Sequence, residues 1–279
     1  MQKALSHAGF LVGGGGLLLI FLVALLAPWL SPHDPYYQDL SMRLADPVWS
    51  AEGSWHHVLG TDALGRDLLS RLLHGLRVSL AISVGATLIS IVIGSTLGIA
   101  GGYFGGWIDN FITYVVNVKL ALPSLLVSMS LIAVFGASIG SLTVILGILV
   151  WDRYAIVLRS VTQQLRSQEF VHSARAVGAS DLRILLKEIL PNVANHIIVI
   201  ASLEIGIIIL IESVLSFIGL GVQPPTPSLG LLIAEGRNVI FFKPLLVVVP
   251  GVAILTTVLA VNLAGDGLRD ILTPEGRNV

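Results

Sequence analysis

The chain has 279 residues, of which 54% are apolar and only 12% are charged. Soluble domains carry about 25% charged residues, so this composition excludes an ordinary water-soluble globule. The 16 Lys and Arg residues nearly balance the 17 Asp and Glu residues, so there is no basic surface of the kind that binds nucleic acid. The sequence lacks cysteine, which excludes disulfides and thiolate metal sites.

Six apolar stretches are long enough to cross a bilayer as helices, which requires roughly 20 residues per span. They cover residues 10–30, 78–100, 111–135, 139–158, 193–215 and 245–264. The first stretch follows Lys3 and contains four consecutive glycines at 13–16, but no small-residue cleavage site ends it. We therefore expect a retained span rather than a signal peptide. The predicted fold class is all-α and polytopic, with Asp152 and Arg153 interrupting the end of the fourth span.

A polar segment separates the first two spans and closes with an amphipathic run over residues 61–76. Leucines recur there every four residues while charged residues take the other positions; the leucines are Leu64, Leu68, Leu72 and Leu76. This pattern is typical of a helix lying on a membrane interface. Thr61 or Asp62 would cap that helix.

The placement of Lys and Arg predicts the orientation. An even number of spans puts both termini on one side of the membrane, and the side richer in Lys and Arg is cytoplasmic. With the termini inside, nine basic residues are cytoplasmic and six are outside. The count favours cytoplasmic N- and C-termini.

The chain turns polar over residues 159–191 without becoming low in complexity, so this loop should be folded. Residues 169–178 have helical spacing, and Gly178 can end that helix before a second begins near Asp181 and runs to Pro191. Two short helices would then meet at a glycine corner. Such a projection is either a connector lying at the interface or a docking surface for a soluble partner.

At these residues the chain resembles the membrane permeases of bacterial ABC importers. Their loop carries Glu-Ala-Ala, then Gly, then Ile-x-Leu-Pro, and the chain matches it at family spacing with 172–174, Gly178 and 190–191. His172, Ser173 and Glu188 depart from the pattern. The resemblance implies a type I ABC importer permease fold whose loop forms coupling helices seated in a cytoplasmic ATPase. The implied coupling residues are Glu169, His172, Ser173, Ala174, Gly178, Ala179, Ser180, Leu190 and Pro191.

Further blocks narrow the resemblance to the second permease subunit of dipeptide, oligopeptide and nickel importers. They are His-Val-Leu-Gly-Thr-Asp at 57–62, Gly-Arg-Asp at 65–67, Leu-Ser-Phe-Ile-Gly-Leu-Gly at 215–221, Pro-Pro-Thr-Pro at 224–227 and Gly-Asp-Gly-Leu-Arg-Asp at 265–270. Ser228-Leu229 stands where the family has Glu-Trp, and Ile156 where it often has arginine. On this resemblance, residues 1–77 hold the N-terminal span, an extracytoplasmic segment and the interfacial helix. Residues 78–279 form a five-helix permease core with the coupling loop at 159–191.

The resemblance also implies a role and partners. The chain would form half of a translocation path for dipeptides or oligopeptides in the bacterial cytoplasmic (inner) membrane, with nickel or opine-like cargo as the alternative. Its partners would be a homologous permease subunit in a heterodimer, two cytoplasmic ATPase subunits, an extracytoplasmic substrate-binding protein and the lipid bilayer, with no nucleic acid. The sequence contains no Gly-Lys-Ser/Thr phosphate loop, so we expect a non-catalytic chain without cofactor, and ATP with Mg²⁺ on the ATPase subunits.

Three ionisable residues fall inside predicted spans, where each costs roughly 2.5–3.5 kcal/mol at the centre of a helix. Lys119 and Glu204 are candidates for the translocation path, with ion pairs between helices as the alternative, and for Glu212 the structural role is favoured. The histidines, including His56 and His57, lack metal-ligand spacing, so no metal site is expected.

Two other functions remain open from the sequence. A secondary transporter driven by an ion gradient would use Lys119 and Glu204 as a relay, but such proteins usually carry paired internal repeats, and the sequence shows no convincing repeat. A membrane scaffold without transport would purify without an ATPase partner.

Overall fold

The computed structural model describes residues 8–272 and places most of them in helices. The helices are α1 (Ala8–Leu25), α2 (Ala27–Leu30), α3 (Leu68–Phe104), α4 (Gly106–Ala121), α5 (Ser124–Phe135), α6 (Ile139–Leu149), α7 (Asp152–Arg166), α8 (Glu169–Ala176), α9 (Asp181–Ile184), α10 (Leu190–Ile218), α11 (Leu229–Gly236) and α12 (Leu245–Leu272). Across the described residues, β geometry is limited to one isolated bridge between Thr61 and Asp67. The predicted all-α class is confirmed. Lys3 and Arg277, both used in the orientation count, lie outside the described residues.

Four helical segments are long and apolar enough to cross a membrane by length and composition. They are Leu68–Phe104, Ile139–Arg166, Asp181–Ile218 and Leu245–Ile271. The pair α4 and α5 makes a fifth if it is counted as one bent span, and Leu11–Leu25 is a shorter apolar helix. The polytopic architecture agrees with the prediction, although α1 falls short of the length that would establish a sixth span.

The second span begins earlier than predicted. Its helix α3 starts at Leu68, and Asp67 caps it by accepting a hydrogen bond from the Ser70 amide at 2.8 Å. The prediction of a separate interfacial helix over 61–76, capped by Thr61 or Asp62, is therefore wrong. Residues 61–66 instead form a tight turn, in which the Asp62 carboxylate accepts from the Leu64 and Arg66 amides at 2.8 and 3.0 Å. The leucine stripe of α3 packs against other helices rather than against a membrane surface.

The third span is bent by 86° between α4 and α5. Leu122 has extended backbone angles of −97° and 128°, and Pro123 follows it. A residue before proline is pushed out of the helical region, and proline has no N–H to continue the hydrogen-bond ladder. The bend at Pro123 divides the predicted span into two short helices.

The fourth span runs farther than predicted. The helix pauses at Val150 and Trp151 and resumes as α7, so the run extends from Ile139 to Arg166 rather than ending near residue 158. Arg159 is consequently helical and not part of a loop. One face of α7 is buried through Tyr154 and Leu158, which explains why a sequence with several polar residues still forms a packed helix.

Glycines let the membrane helices approach closely. A Cβ atom at Gly94 would clash with the Trp151 carbonyl oxygen, so α3 and α7 touch backbone to backbone. A Cβ atom at Gly13 would clash in the same way with the Ala264 amide nitrogen. The start of α1 therefore lies beside the C-terminal half of α12. Gly13, the first of the four consecutive glycines, thus serves helix packing.

Candidate functional site

The corner between α8 and α9, residues 169–184, is held by a defined turn. Helix α8 ends in a pair of hydrogen bonds in which the Gly178 amide donates to the Arg175 carbonyl at 2.9 Å and the Ala179 amide donates to the Ala174 carbonyl at 3.0 Å. This is the Schellman arrangement, which requires a residue with positive φ, and Gly178 has a φ of +80°. The predicted glycine corner is confirmed. The spacing between Ala174 and Gly178 follows from this turn.

Apolar side chains hold the α8–α9 corner against the membrane helices. Val171 of α8 and Ile184 of α9 are fully buried. They share one cluster with Ile99 and Tyr103 of α3 and with Tyr154 and Leu158 of α7. A push on this corner would therefore be transmitted directly to two long helices.

Polar contacts fix the same junction. The Tyr103 hydroxyl, at the end of α3, donates a hydrogen bond of 2.6 Å to Asp181, the first residue of α9. The Arg175 guanidinium lies 5.1 Å from the centre of the Tyr103 ring. Hydrogen bonding with Tyr103 is the main cause that raises the pKa of Arg175 above its ordinary value. Tyr103 thus joins both short helices to α3.

Three large apolar side chains are exposed on the α8–α9 corner, among exposed polar residues. Val177 is 85% exposed, Leu182 66% and Leu186 55%. Clustered apolar side chains that remain exposed mark an interaction surface more often than chance. The predicted coupling residues surround them: Glu169, His172, Ser173, Gly178, Ser180, Leu190 and Pro191 are exposed or partly exposed, and Ala174 and Ala179 are half-buried.

The second helix of the predicted loop does not stop before Pro191. Helix α9, a π-helical turn over Leu185–Ile189 and α10 form one continuous run of 38 residues from Asp181 to Ile218. Proline is tolerated because it occupies the first turn of α10, directly after the π turn, where the ordinary pattern of helical hydrogen bonds is already changed. The predicted loop from 159 to 191 is thus mostly helix, and its non-helical breaks lie at residues 167–168 and 177–180.

Two ion pairs connect helices inside the membrane. Lys119 of α4 pairs with Asp152 at the start of α7, while Glu204 of α10 lies 3.3 Å from the next residue, Arg153. Glu204 is fully buried, and its carboxylate makes no hydrogen bond of good geometry within the described residues. The structure therefore does not join Lys119 and Glu204 directly. It brings each to a neighbouring residue in the first turn of α7.

Glu212 has a clear structural environment. Its carboxylate accepts hydrogen bonds from the hydroxyls of Ser79 on α3 at 3.0 Å and of Ser216 one turn later on α10 at 2.7 Å. It is fully buried. These contacts support the structural role that the sequence favours for this residue.

A buried charge network lies at the other end of α3, and the sequence analysis does not predict it. The Arg71 guanidinium is fully buried and donates to Asp62 at 2.5 Å and to Glu235 of α11 at 2.6 Å. Arg66 contacts the same two carboxylates at 2.7 and 3.1 Å. Asp62 and Arg66 belong to the blocks at 57–62 and 65–67 that carry the family resemblance, and Arg71 follows four residues after the second block. Nothing in the sequence singles out Glu235.

Comparison with known proteins identifies the family of this chain. Residues 90–277 match the family model described as "Binding-protein-dependent transport system inner membrane component", and residues 2–47 match the "N-terminal TM domain of oligopeptide transport permease C". The first match covers more than half of the chain. The chain belongs to the binding-protein-dependent transport permeases.

Relatives support this membership over nearly the full length. The chain is 39% identical to the di/tripeptide transport system permease protein DppC of Pseudomonas aeruginosa, over 99% of this chain and 91% of that protein. It is 44% identical to the glutathione transport system permease protein GsiD of Salmonella typhimurium, over 95% and 86%. It is 42% identical to the dipeptide transport system permease protein DppC of Escherichia coli K12, over 96% and 90%.

A solved structure confirms the fold. An inward-facing MetNI methionine ABC transporter chain superposes with a TM-score of 0.58 at 17% identity, covering 73% of this permease and 96% of that chain. The permease is accordingly a multi-pass, non-catalytic membrane subunit of a binding-protein-dependent ABC importer, and it works with an ATPase and a binding protein. These findings do not favour the secondary transporter or the scaffold without transport.

Proposed function

We propose that this permease imports short peptides as one half of a heterodimeric membrane unit. The relatives named above are permeases of dipeptide, di/tripeptide and glutathione systems, so a peptide cargo is favoured over nickel or opine-like compounds. The second half would be a homologous permease subunit. The translocation path would lie between the two.

The exposed apolar face of the α8–α9 corner carries the proposal for coupling. The corner packs against α3 and α7 and exposes Val177, Leu182 and Leu186. This arrangement suits a rigid element that docks in a groove of an ATPase subunit. The coupling residues are those named by the family resemblance, from Glu169 to Pro191. ATP and Mg²⁺ would be bound by two ATPase subunits, and this chain would carry no cofactor.

The proposed orientation puts the α8–α9 corner in the cytoplasm. Tyr103 at one end of α3 contacts this corner, whereas Arg71 near the other end contacts the turn at 61–66. Residues 31–67 and the loop between α10 and α12 would therefore face outward, where a binding protein delivers substrate. The start of α1 lies beside the end of α12, which supports both ends being on one side of the membrane, and the excess of basic residues favours the cytoplasmic side.

Lys119 and Glu204 stay candidates for residues near the path. Their ion pairs with Asp152 and Arg153 join α4, α7 and α10 at membrane depth. Arg153 is more than half exposed in the isolated chain, so the Glu204 pair borders a surface that a second permease subunit would cover. A charged pair at such a boundary can reorganise as the two halves move.

The test is transport by the assembled complex in proteoliposomes. Uptake of a labelled dipeptide should require ATP on the side of the ATPase subunits and the binding protein on the opposite side. Leu182→Asp should release the ATPase during purification because it places a charge in the apolar docking face. Phe241→Asp is the matched control, since Phe241 is 94% exposed but lies beyond the opposite end of α10. Equal ATPase retention in both variants would overturn the docking assignment.

A further inference from the structure

Three histidines come together on the segment between α2 and α3. The rings of His33, His56 and His57 have centroids 4.6 to 4.7 Å apart, and one ring nitrogen from each lies within 4.8 Å of the others. His56 and His57 are neighbours in sequence, whereas His33 comes from the chain just after α2. The expectation of no metal site rested on positions along the chain, and folding brings His33 to the pair.

Asp67 orients one of these rings. Its Oδ1 atom lies 2.9 Å from His57 Nδ1, while its Oδ2 atom caps α3 through the Ser70 amide. A protonated Nδ1 that donates to this carboxylate leaves Nε2 of His57 with a free lone pair. Histidines that bind metal ions are commonly held by a carboxylate in this way, which fixes both the tautomer and the ring direction.

The nitrogen positions suit a small cation. Nε2 of His57 lies 3.2 Å from Nδ1 of His56. Two nitrogens that bind one tetrahedral zinc ion at about 2.0–2.1 Å lie roughly 3.3–3.4 Å from each other, so little movement is needed. A cation would replace the single proton that these two nitrogens can share.

The third histidine, His33, has a fixed backbone but, in the described part of the chain, a ring nitrogen without a hydrogen bond. The His33 amide donates to the Ser70 hydroxyl at 3.1 Å, which ties this backbone to the first turn of α3. Its Nδ1 atom is buried, has no hydrogen-bond partner among the described residues and lies 3.7 Å from Asp67. A buried polar nitrogen normally has a partner, so this nitrogen is available to a ligand.

The cluster opens onto a cavity of about 300 Å³, lined by residues that include Asp34, Tyr37, Asp39 and Met42. We propose that His33, His56 and His57 form a binding site for a divalent cation of the zinc and nickel class, with Asp67 holding the His57 ring in place. Imidazole nitrogens select such borderline cations, whereas Mg²⁺ and Ca²⁺ prefer oxygen ligands. Asp34 and Asp39 line the same cavity, and a carboxylate or a water molecule there would supply the fourth ligand.

The bound ion would link two parts of the segment between α2 and α3. His33 follows α1 and α2, and His57 precedes α3, so one ion would fix the N-terminal helices to the core helix. The site is separate from the α8–α9 corner, and binding there can be measured whether or not the cargo is a peptide.

The experiment measures Zn²⁺ binding to the purified complex in lipid nanodiscs after treatment with a chelator. Titration calorimetry should show one Zn²⁺ per permease that Mg²⁺ does not displace, and Co²⁺ in its place should give a visible absorption band. His33→Gln and His57→Gln should each lose this binding. Asp67→Asn, which keeps a residue able to cap α3, should weaken affinity by roughly 10- to 100-fold.

His196→Gln serves as the matched control, because this histidine lies in α10 away from the cluster and also has an unpartnered ring nitrogen within the described residues. It should bind Zn²⁺ as the unmodified complex does. If His57→Gln fails to assemble, His56→Gln carries the same test, since His56 is exposed. Equal Zn²⁺ affinity in the cluster variants and in the control, or no binding by the unmodified complex, would overturn the proposal.

Discussion

Replacing Gly178 by alanine isolates the contribution of the glycine corner to coupling. A Cβ atom at this position would meet no neighbour within 4 Å, so the substitution causes no clash. Its cost comes from the backbone alone, because φ is +80° and an L-residue in this region is disfavoured by about 1–2 kcal/mol. A change of this size shifts the balance between the formed and the opened corner by roughly 5- to 30-fold.

Gly219 provides a control of the same kind. It also has a left-handed φ, +89°, and a Cβ atom added there would likewise meet open space, but it ends α10 at the opposite end from the corner. Gly219→Ala therefore carries a similar backbone cost without touching the α8–α9 corner. Comparing the two variants separates loss of coupling from loss of stability.

The assay is ATP hydrolysis by the assembled complex in nanodiscs, with and without substrate-loaded binding protein. We expect Gly178→Ala to lose most of its substrate-stimulated turnover and Gly219→Ala to retain it. Gly178→Asn should lie between them, since asparagine tolerates the left-handed region better than alanine. Equal stimulation in the two alanine variants would refute the reasoning.

Buried polar contacts give three more variants for measurement. Arg71→Ala removes one of the two guanidiniums shared by Asp62 and Glu235 and leaves two buried carboxylates on Arg66 alone, so the thermal midpoint of the complex should fall by an amount equivalent to about 3–5 kcal/mol. Arg77→Ala, at an exposed position, should change it little. Asp152→Asn leaves Lys119 without its carboxylate and should lower the thermal midpoint of the complex. The double variant Lys119→Met with Asp152→Leu should recover most of that loss. A double variant as unstable as the single one would contradict this. Tyr103→Phe removes the bond to Asp181 and should cost about 1.5–3 kcal/mol, with exposed Tyr114→Phe as the control in the same melting experiment.

The glycine corner could be predicted because a single residue determines it, and the bend of the third span has an equally local cause. Gly178 supplies a backbone angle that other residues avoid, and Pro123 lacks the N–H that a continuous helix needs. Both signals are local in sequence. The loop that holds the predicted coupling residues could be located because the chain turns polar there and matches a motif in which Gly178 has a fixed place.

Other features depend on contacts between distant residues. The leucine stripe that begins at Leu68 has the same period whether it faces a membrane surface or another helix, and only packing against α10 and α12 distinguishes the two. Pro191 does not end its helix because a π turn precedes it, and that turn has no sequence signature. His33 contacts His56 and His57, and Glu235 pairs with Arg71, although these residues are far apart in the sequence and follow no known motif spacing.

The unbroken helix from Asp181 to Ile218 gives the permease a mechanical lever. Its 38 residues span about 57 Å at 1.5 Å per residue. A rotation of about 10° around its midpoint would move each end by roughly 5 Å in opposite directions, given that length. The loop after Ile218 would then move in the direction opposite to the α8–α9 corner, and the stiffness of one helix would couple the two movements without a relay of side chains.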